Sequence, residues 1–257
     1  MSLPLATLDT WTAAPRRHRL PSAAGVRNQM LAHLPEVEFH KVMAQTERVP
    51  LRPRQVLMEA NAPVSCVHFI EEGTASILSR VDRGKMSEIS IVGTRGFVGI
   101  PLVLGTRRSP FRCVVHTSGS AWRIAGPQFQ ELDRSCPVFS KLLRFNLQAR
   151  LVQHAQLNIC NASHTLHQRV CRWILLALER LESNEVHATH DLISRMLGVR
   201  RPGVTRVIGD LERSGALAQT RGSLSVQDIA LLEACACNCH HVIRTEYDRL
   251  HESALGI

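Results

Sequence analysis

Residues 189–213 read THDLISRMLGVRRPGVTRVIGDLER. Thr189 is a good N-cap, because its hydroxyl can accept from an orphan amide of a first helical turn. Leu192, Ile193, Met196 and Leu197 then make the apolar face of a short helix. Gly198 permits a tight turn after it. Pro202 suits the first turn of a second helix, where its missing N–H costs nothing. Val204, Val207, Ile208 and Leu211 form the buried face of that second helix. Arg200, Arg201, Thr205, Arg206 and Gly209 fall mostly on the other side. Helix, glycine turn and arginine-bearing helix at this spacing read as a helix-turn-helix, and double-stranded DNA is the expected partner. The bland alternative is a small αα-hairpin with a solvated basic face. The next segment favours the first reading. Leu217–Val226 reads as a hairpin around Thr220-Arg221-Gly222-Ser223, a wing whose Arg221 can meet a phosphate.

Upstream, Leu166–Leu181 is apolar at Leu166, Val170, Trp173, Ile174, Ala177 and Leu181, a second helical period. Before it, Pro137 to about Ser163 contains no glycine or proline after its first residue. Leu142, Phe145, Ala149, Val152, Gln156 and Ile159 alternate steps of three and four, which makes a heptad seam. Leu143, Leu147 and Leu151 widen the stripe. A helix this long and this apolar needs a partner, and a second copy of itself is the simplest. The alternative is a helix packed only on its own domain.

Residues 50–125 change period. Val64–Ile70, Thr74–Val81, Glu88–Val92, Arg112–Thr117 and Ser120–Ile124 are β-rich runs with glycines between or just after them. Short strands at this spacing predict a compact barrel or roll. Residues 1–25, rich in Pro, Ala and Arg without periodicity, read as a loose tail. The expected domains are the tail at 1–25, a β-roll at 26–136, a dimerisation helix at 137–165 and a winged helix-turn-helix at 166–257.

The 257 residues carry a net charge of +9, but the excess lies away from the DNA-reading motif. Residues 166–257 hold 11 arginines against 11 acids. Only residues 189–221, with six arginines against Asp191, Asp210 and Glu212, carry a local excess. No signal peptide is visible, and the longest notable apolar run, Trp173–Leu178, is far short of a membrane span. Most of the eight cysteines sit singly in apolar runs, as reduced thiols do. A cytoplasmic location without membrane contact is expected. No phosphate loop, nucleophile elbow or paired-histidine metalloenzyme motif is present, so no enzyme activity is expected. Cys235-Ala-Cys-Asn-Cys-His-His241 invites a metal or redox reading. On one continuous helix, however, Cys235 and Cys239 share a face and Cys237 points away, toward His241. Three thiols on one helix cannot converge on a tetrahedral ion, so packing is the expected role, with no metal and no cofactor.

The whole arrangement resembles the Crp/Fnr family, over roughly residues 30–250. The resemblance is carried by LISRMLGVRRPGVTRVIGDLERSGAL and RGSLSVQDIALLEACACNC, then by FIEEGTASIL and GTRGFVGIPLVLG. It implies an α+β protein with an N-terminal cyclic-nucleotide-binding-like β-roll, a long dimerisation helix and a C-terminal winged helix-turn-helix. It also implies a homodimer on a palindromic operator, with RNA polymerase as a further partner. In the family two arginines of the second motif helix contact bases or phosphates, and Arg201 and Arg206 match them. A Glu commonly follows the first; Pro202 stands here, which implies a different half-site.

The family's cyclic-nucleotide members hold ribose with a Gly-Glu pair and phosphate with an Arg-Ser pair. The first pair reads Gly99-Ile100 here, with Pro101 after it, and the second survives as Arg108-Ser109. Arg150 lies where a family arginine sits on the long helix. His154 and Ala155 replace the hydroxyl residues that meet adenine. The resemblance therefore implies an effector pocket around Gly99, Ile100, Arg108, Ser109, Arg150 and His154 that does not take cyclic AMP, its small-molecule effector unidentified. No cysteine precedes Cys66, which removes the family's N-terminal iron–sulfur cluster. His68, His116 and His154 are the candidate axial ligands of a haem variant.

Overall fold

The computed structural model describes residues 23–80, 86–181 and 184–255. The expected tail falls almost wholly outside them; of it only a 3-10 turn, Ala23–Gly25, is described.

Two short helices open the fold, α1 (Gln29–Ala32) and α2 (Glu36–Met43). Six strands follow: β1 (Glu47–Leu51), β2 (Val56–Met58), β3 (Cys66–Arg80), β4 (Met86–Val92), β5 (Phe97–Val98) and β6 (Arg112–Ala125). The short helix α3 (Ile100–Val103) lies between β5 and β6. One antiparallel sheet runs β1-β6-β3-β4, with β2 on β6 and β5 on β3. Its centre is the β3–β6 pair, from Cys66 opposite Ala125 to Leu78 opposite Arg112.

Here the structure corrects the expected strands. The runs expected at Val64–Ile70 and Thr74–Val81 merge into the one strand β3, Val81 lying outside the described residues, and those at Arg112–Thr117 and Ser120–Ile124 merge into β6. Gly73 and Gly119 do not end strands; they allow two strands to pass closely where the register shifts. A Cβ on Gly73, at φ +79°, would come within 2.5 Å of the Ser118 carbonyl. Local glycine signals do not separate a turn from a bulge, because both need a missing side chain. β1 and β2 escaped the sequence reading: their burial alternates only weakly, and Pro50 sits inside β1.

The roll closes on two buried carboxylates. Glu71 accepts from the Arg27 and Asn28 amides at 2.7 and 3.1 Å and from Trp122 Nε1 at 3.1 Å. Glu38 accepts from the Val138 and Phe139 amides at 3.1 and 2.8 Å. Charged side chains survive burial where hydrogen bonds replace water. Phe69, Phe97, Phe129 and Phe139 stack behind them in the core.

Two helices leave the roll, α4 (Gly126–Ser135) and the 27-residue α5 (Pro137–Ser163), the latter as the heptad pattern predicts. Helix α6 (Leu166–Leu181) starts at a capping box. The Gln168 amide donates to Thr165 Oγ1 at 3.3 Å, and the Thr165 amide donates to Gln168 Oε1 at 3.1 Å. The C-terminal domain continues with β7 (Glu185–Val186), α7 (His190–Leu197), α8 (Arg201–Arg213), β8 (Leu217–Thr220), β9 (Ser223–Val226), α9 (Ile229–Cys235) and α10 (Cys239–Leu255). Strands β7, β9 and β8 form a small antiparallel sheet. A second core, built on Val170, Ile174, Ile193, Val204, Ile208, Leu211 and Leu224, holds these elements together.

Helix α10 returns to α5 and changes the fate of the seam. Tyr247 donates to Gln153 at 3.2 Å, and Lys141 donates to the Ser253 carbonyl at 2.7 Å. Leu142 and Ala149 are buried within the chain, and with Phe145 they line a cleft of about 320 Å³ shared with Tyr247 and Leu250. Gln156 is half-buried and donates to Cys239. Of the six seam residues only Ile159 is fully exposed, with Val152 intermediate. The exposed stripe of α5 is instead Leu151, Ala155, Ile159 and Ala162. It is turned from the expected seam by roughly a quarter of the helix circumference. The periodicity was right, but the helix has two apolar sides, and one of them is covered by its own C-terminal helix.

Candidate nucleic-acid interface

Each local signal of the motif has its structural counterpart. Thr189 caps α7 by accepting from the Leu192 amide at 3.1 Å. Gly198 ends it at φ +64°, the left-handed conformation that glycine adopts without penalty. Pro202 sits in the first turn of α8. Val204, Val207, Ile208 and Leu211 are buried, whereas Arg200, Arg201, Thr205 and Arg206 are exposed on the opposite side. Arg221 is exposed at the turn between β8 and β9.

The charges on this surface divide into two sets. Arg195 pairs with Asp191 at 3.3 Å, and Arg213 pairs with Asp210. Among the described residues, no acid lies within ion-pair distance of Arg200, Arg201, Arg206 or Arg221. These four guanidiniums on one helix and one wing tip are available to an anionic partner. Sequence reasoning missed what braces them. His190 Nδ1 lies 3.0 Å from Thr205 Oγ1 and its Nε2 lies 3.1 Å from Gln219 Oε1. Gln219 Nε2 in turn donates to Glu212 at 2.8 Å. One histidine thus links the first motif helix, the second and the wing. From the other side, Arg169 of α6 donates to the Leu197 carbonyl that ends α7.

The effector-pocket residues are not brought together in the same way. Gly99 (φ +117°) precedes α3, and Ile100 packs against the roll core. Pro101 is buried. Arg108 is exposed and donates to the Asn61 carbonyl at 2.8 Å. Ser109 accepts from the Phe111 amide at 3.1 Å, a bond within its own loop. Arg150 is turned toward the roll: it donates to the Phe97 carbonyl and to Asn146, both at 3.1 Å, and lies over the Phe97 ring. His154 is exposed. The candidate haem ligands are likewise dispersed. His116 and His154 are exposed, and burial lowers the pKa of His68 to about 4, holding it neutral in the core.

The C-terminal cysteines require a correction. The segment from Cys235 to His241 is not one helix. Helix α9 ends at Cys235, Ala236 is extended at ψ 163°, and α10 begins at Cys239. The break turns Cys237 and Cys239 to one side, where they meet Cys160 and His164. Cys235 does not join them, and His241 faces Thr245 instead.

A family model of the cyclic nucleotide-binding domain matches residues 48–135, and one of the Crp-like helix-turn-helix domain matches residues 168–235. No match was found among curated protein sequences. Solved structures share the fold at low identity. FixK2 from Bradyrhizobium japonicum is 12% identical with TM-score 0.62, over 75% of this chain and 98% of that one. CLP from Xanthomonas campestris, described as a c-di-GMP responsive global regulator, is 16% identical with TM-score 0.61, over 75% and 99%. A CRP-family transcriptional regulator from Thermus thermophilus is 16% identical with TM-score 0.60, over 73% and 96%. No helix among the described residues is long and apolar enough to cross a membrane. With a cyclic nucleotide-binding domain and a Crp-like helix-turn-helix joined by one long helix, the chain belongs to the Crp/Fnr family of DNA-binding transcriptional regulators.

Proposed function

We propose that this regulator works in the cytoplasm as a homodimer, reading a two-fold symmetric operator with Arg201 and Arg206 and gripping its backbone with Arg200 and Arg221. The observation that carries the reading is the set of four arginines, at the start of α8, on it and on the wing, that have no acidic partner among the described residues, beside two neighbours that are paired. An arginine without an internal partner keeps its fork of donors for guanine edges and phosphates. Thr205, held by His190, supports the same face. Dimerisation through the exposed stripe Leu151, Ala155, Ile159 and Ala162 sets the operator's two-fold axis and spaces its half-sites about one helical turn apart. Small residues at Ala155 and Ala162 suit close approach of two α5 helices. RNA polymerase is the natural further partner of such a regulator.

Cyclic AMP does not control this regulator: either another small molecule binds the roll, or the protein binds DNA constitutively. A ribose hydroxyl placed against Ile100 lacks an acceptor, which costs about 1–3 kcal/mol. Arg108 is held by Asn61, and Arg150 by Phe97 and Asn146.

Selection of binding sites from a random duplex library tests the reading. The expected product is a palindrome bound by two chains. Enrichment of an asymmetric site, or none, removes it. Calorimetric titration with cyclic AMP and cyclic GMP is expected to give no heat; low-micromolar binding would overturn the effector assignment.

A further inference from the structure

The meeting of Cys160, His164, Cys237 and Cys239 goes beyond DNA reading. Cys160 lies in the last turn of α5, and His164 is the residue that ends that helix. Cys237 lies in the break before α10, and Cys239 is the first residue of α10. The four ligand atoms all lie within 4.8 Å of one another. Cys160 Sγ is 3.4 Å from Cys237 Sγ, and Cys239 Sγ is 3.5 Å from His164 Nδ1. Zinc bonds of about 2.3 Å to sulfur and about 2.1 Å to nitrogen make a tetrahedron with edges of roughly 3.6–3.8 Å. The two measured edges are within a few tenths of an ångström of that. A disulfide, with sulfurs about 2.05 Å apart, would use two of the three thiols and strand the third.

The surroundings point to the same occupant. The three cysteines form a buried cluster of their own, apart from both aliphatic cores. Beside it lies Arg172, 3% exposed, whose Nε and Nη1 have no hydrogen-bond partner among the described residues. The three sulfurs are its electrostatic neighbours. An unpaired buried cation is costly. Three thiolates and a neutral imidazole on a divalent ion carry a net charge of −1, which that guanidinium balances. Gln156, the polar member of the predicted seam, donates to Cys239 Sγ at 3.2 Å, as residues around a metal-bound thiolate do.

We propose that Cys160, His164, Cys237 and Cys239 bind one zinc ion that fastens the end of α5 to the start of α10. Three S–H bonds give way to three Zn–S bonds, three protons pass to solvent, and Nδ1 of His164 supplies the fourth pair of electrons. All four positions are filled by protein, so the site is structural and leaves no place for a substrate. Three thiolates and an imidazole in a tetrahedron select zinc, with cobalt and cadmium as surrogates, over magnesium or calcium. The clasp ties the last turn of α5, just before the Thr165 cap of α6, to the start of α10.

The test uses the full-length protein, purified under reducing conditions. Elemental analysis is expected to find one zinc per chain. Replacement by cobalt is expected to give a thiolate-to-metal charge-transfer band and the intense visible bands of a tetrahedral site. Cys237→Ser and Cys160→Ser should each lose metal affinity at least tenfold, while Cys235→Ser and Cys171→Ser keep one ion per chain. Arg172→Met and Gln156→Met leave all four ligands in place and should lower affinity by about tenfold. Removing zinc should raise amide exchange at residues 160–166 and 237–243 but not in the β-roll. Failure of the wild-type protein to take up zinc or cobalt overturns the proposal without any variant. So does equal metal loss in Cys235→Ser, or a Cys160–Cys237 disulfide in anaerobically purified protein.

Discussion

The β-roll and the winged helix use arginine in opposite ways. In the roll Arg48 meets Glu72 and Ser120, Arg112 meets Glu59 and Arg123 meets Glu47. Arg108 and Arg150 are held by backbone carbonyls. Along α8, its N-cap and the wing, Arg200, Arg201, Arg206 and Arg221 have no acidic partner among the described residues. Yet the chain's charge excess lies in the first 165 residues, and residues 166–257 are neutral. Net charge therefore points to the wrong domain. What identifies the interface is charge that the fold has left unspent, since a paired guanidinium must break its pair before it can meet a phosphate.

Assembly carries the largest effect, because the unpaired arginines reach both half-sites only in a dimer. Leu151 is 67% exposed and Ile159 55%. Leu151→Glu should bury a carboxylate between the α5 helices at a cost of roughly 3 kcal/mol, weakening the dimer about a hundredfold. Sedimentation velocity measures this; an unchanged micromolar dimer would move the interface elsewhere.

Next comes the reading helix. Arg206→Ala should cost about 1–3 kcal/mol on the selected operator and little on random duplex, with the melting temperature unchanged. Equal loss on both duplexes in fluorescence anisotropy would make Arg206 a phosphate contact. The roll should answer in the opposite sense. Arg150→Met removes two hydrogen bonds and the contact over Phe97. It should lower folding stability by about 1–3 kcal/mol, seen as a reduced denaturation midpoint, while the folded dimer keeps its operator affinity.

The wing sharpens the comparison at the small end. Arg221→Ala should weaken all sequences alike and reduce the slope of log affinity against log salt by about one. Arg195→Ala, whose guanidinium already has Asp191, should change the affinity by less than about 0.5 kcal/mol and leave the salt slope unchanged. A larger loss than Arg221→Ala would mean that pairing does not separate the two sets.

The helix-turn-helix was legible almost residue by residue. Thr189, Gly198 and Pro202 act within a turn or two of their own position, and their chemistry needs no distant partner. The length of α5 and the hairpin at Arg221 were legible for the same reason. The effector pocket was legible only as positions, because whether Arg108 and Arg150 face a ligand or a carbonyl depends on neighbours far along the chain.

The local pattern of the sequence was enough for α5, α6, the two motif helices with their caps, the wing hairpin and the face that exposes Arg201 and Arg206. Periodicity and capping are local, so a chain carries them wherever it folds. Only the tertiary structure decided that β3 and β6 pass unbroken through Gly73 and Gly119, and that α10 covers Leu142 and Ala149. Only it brought Cys160 and His164 to Cys237 and Cys239. Cys160 and Cys237 are 77 residues apart, and their meeting rests on the break at residues 236–238, where Ala236 is extended. Asn238, a residue type that favours the start of a helix, is a local hint of that break, but it does not set the direction of the thiols. Packing α10 against α5 imposes it, and the direction of each thiol follows from the packing.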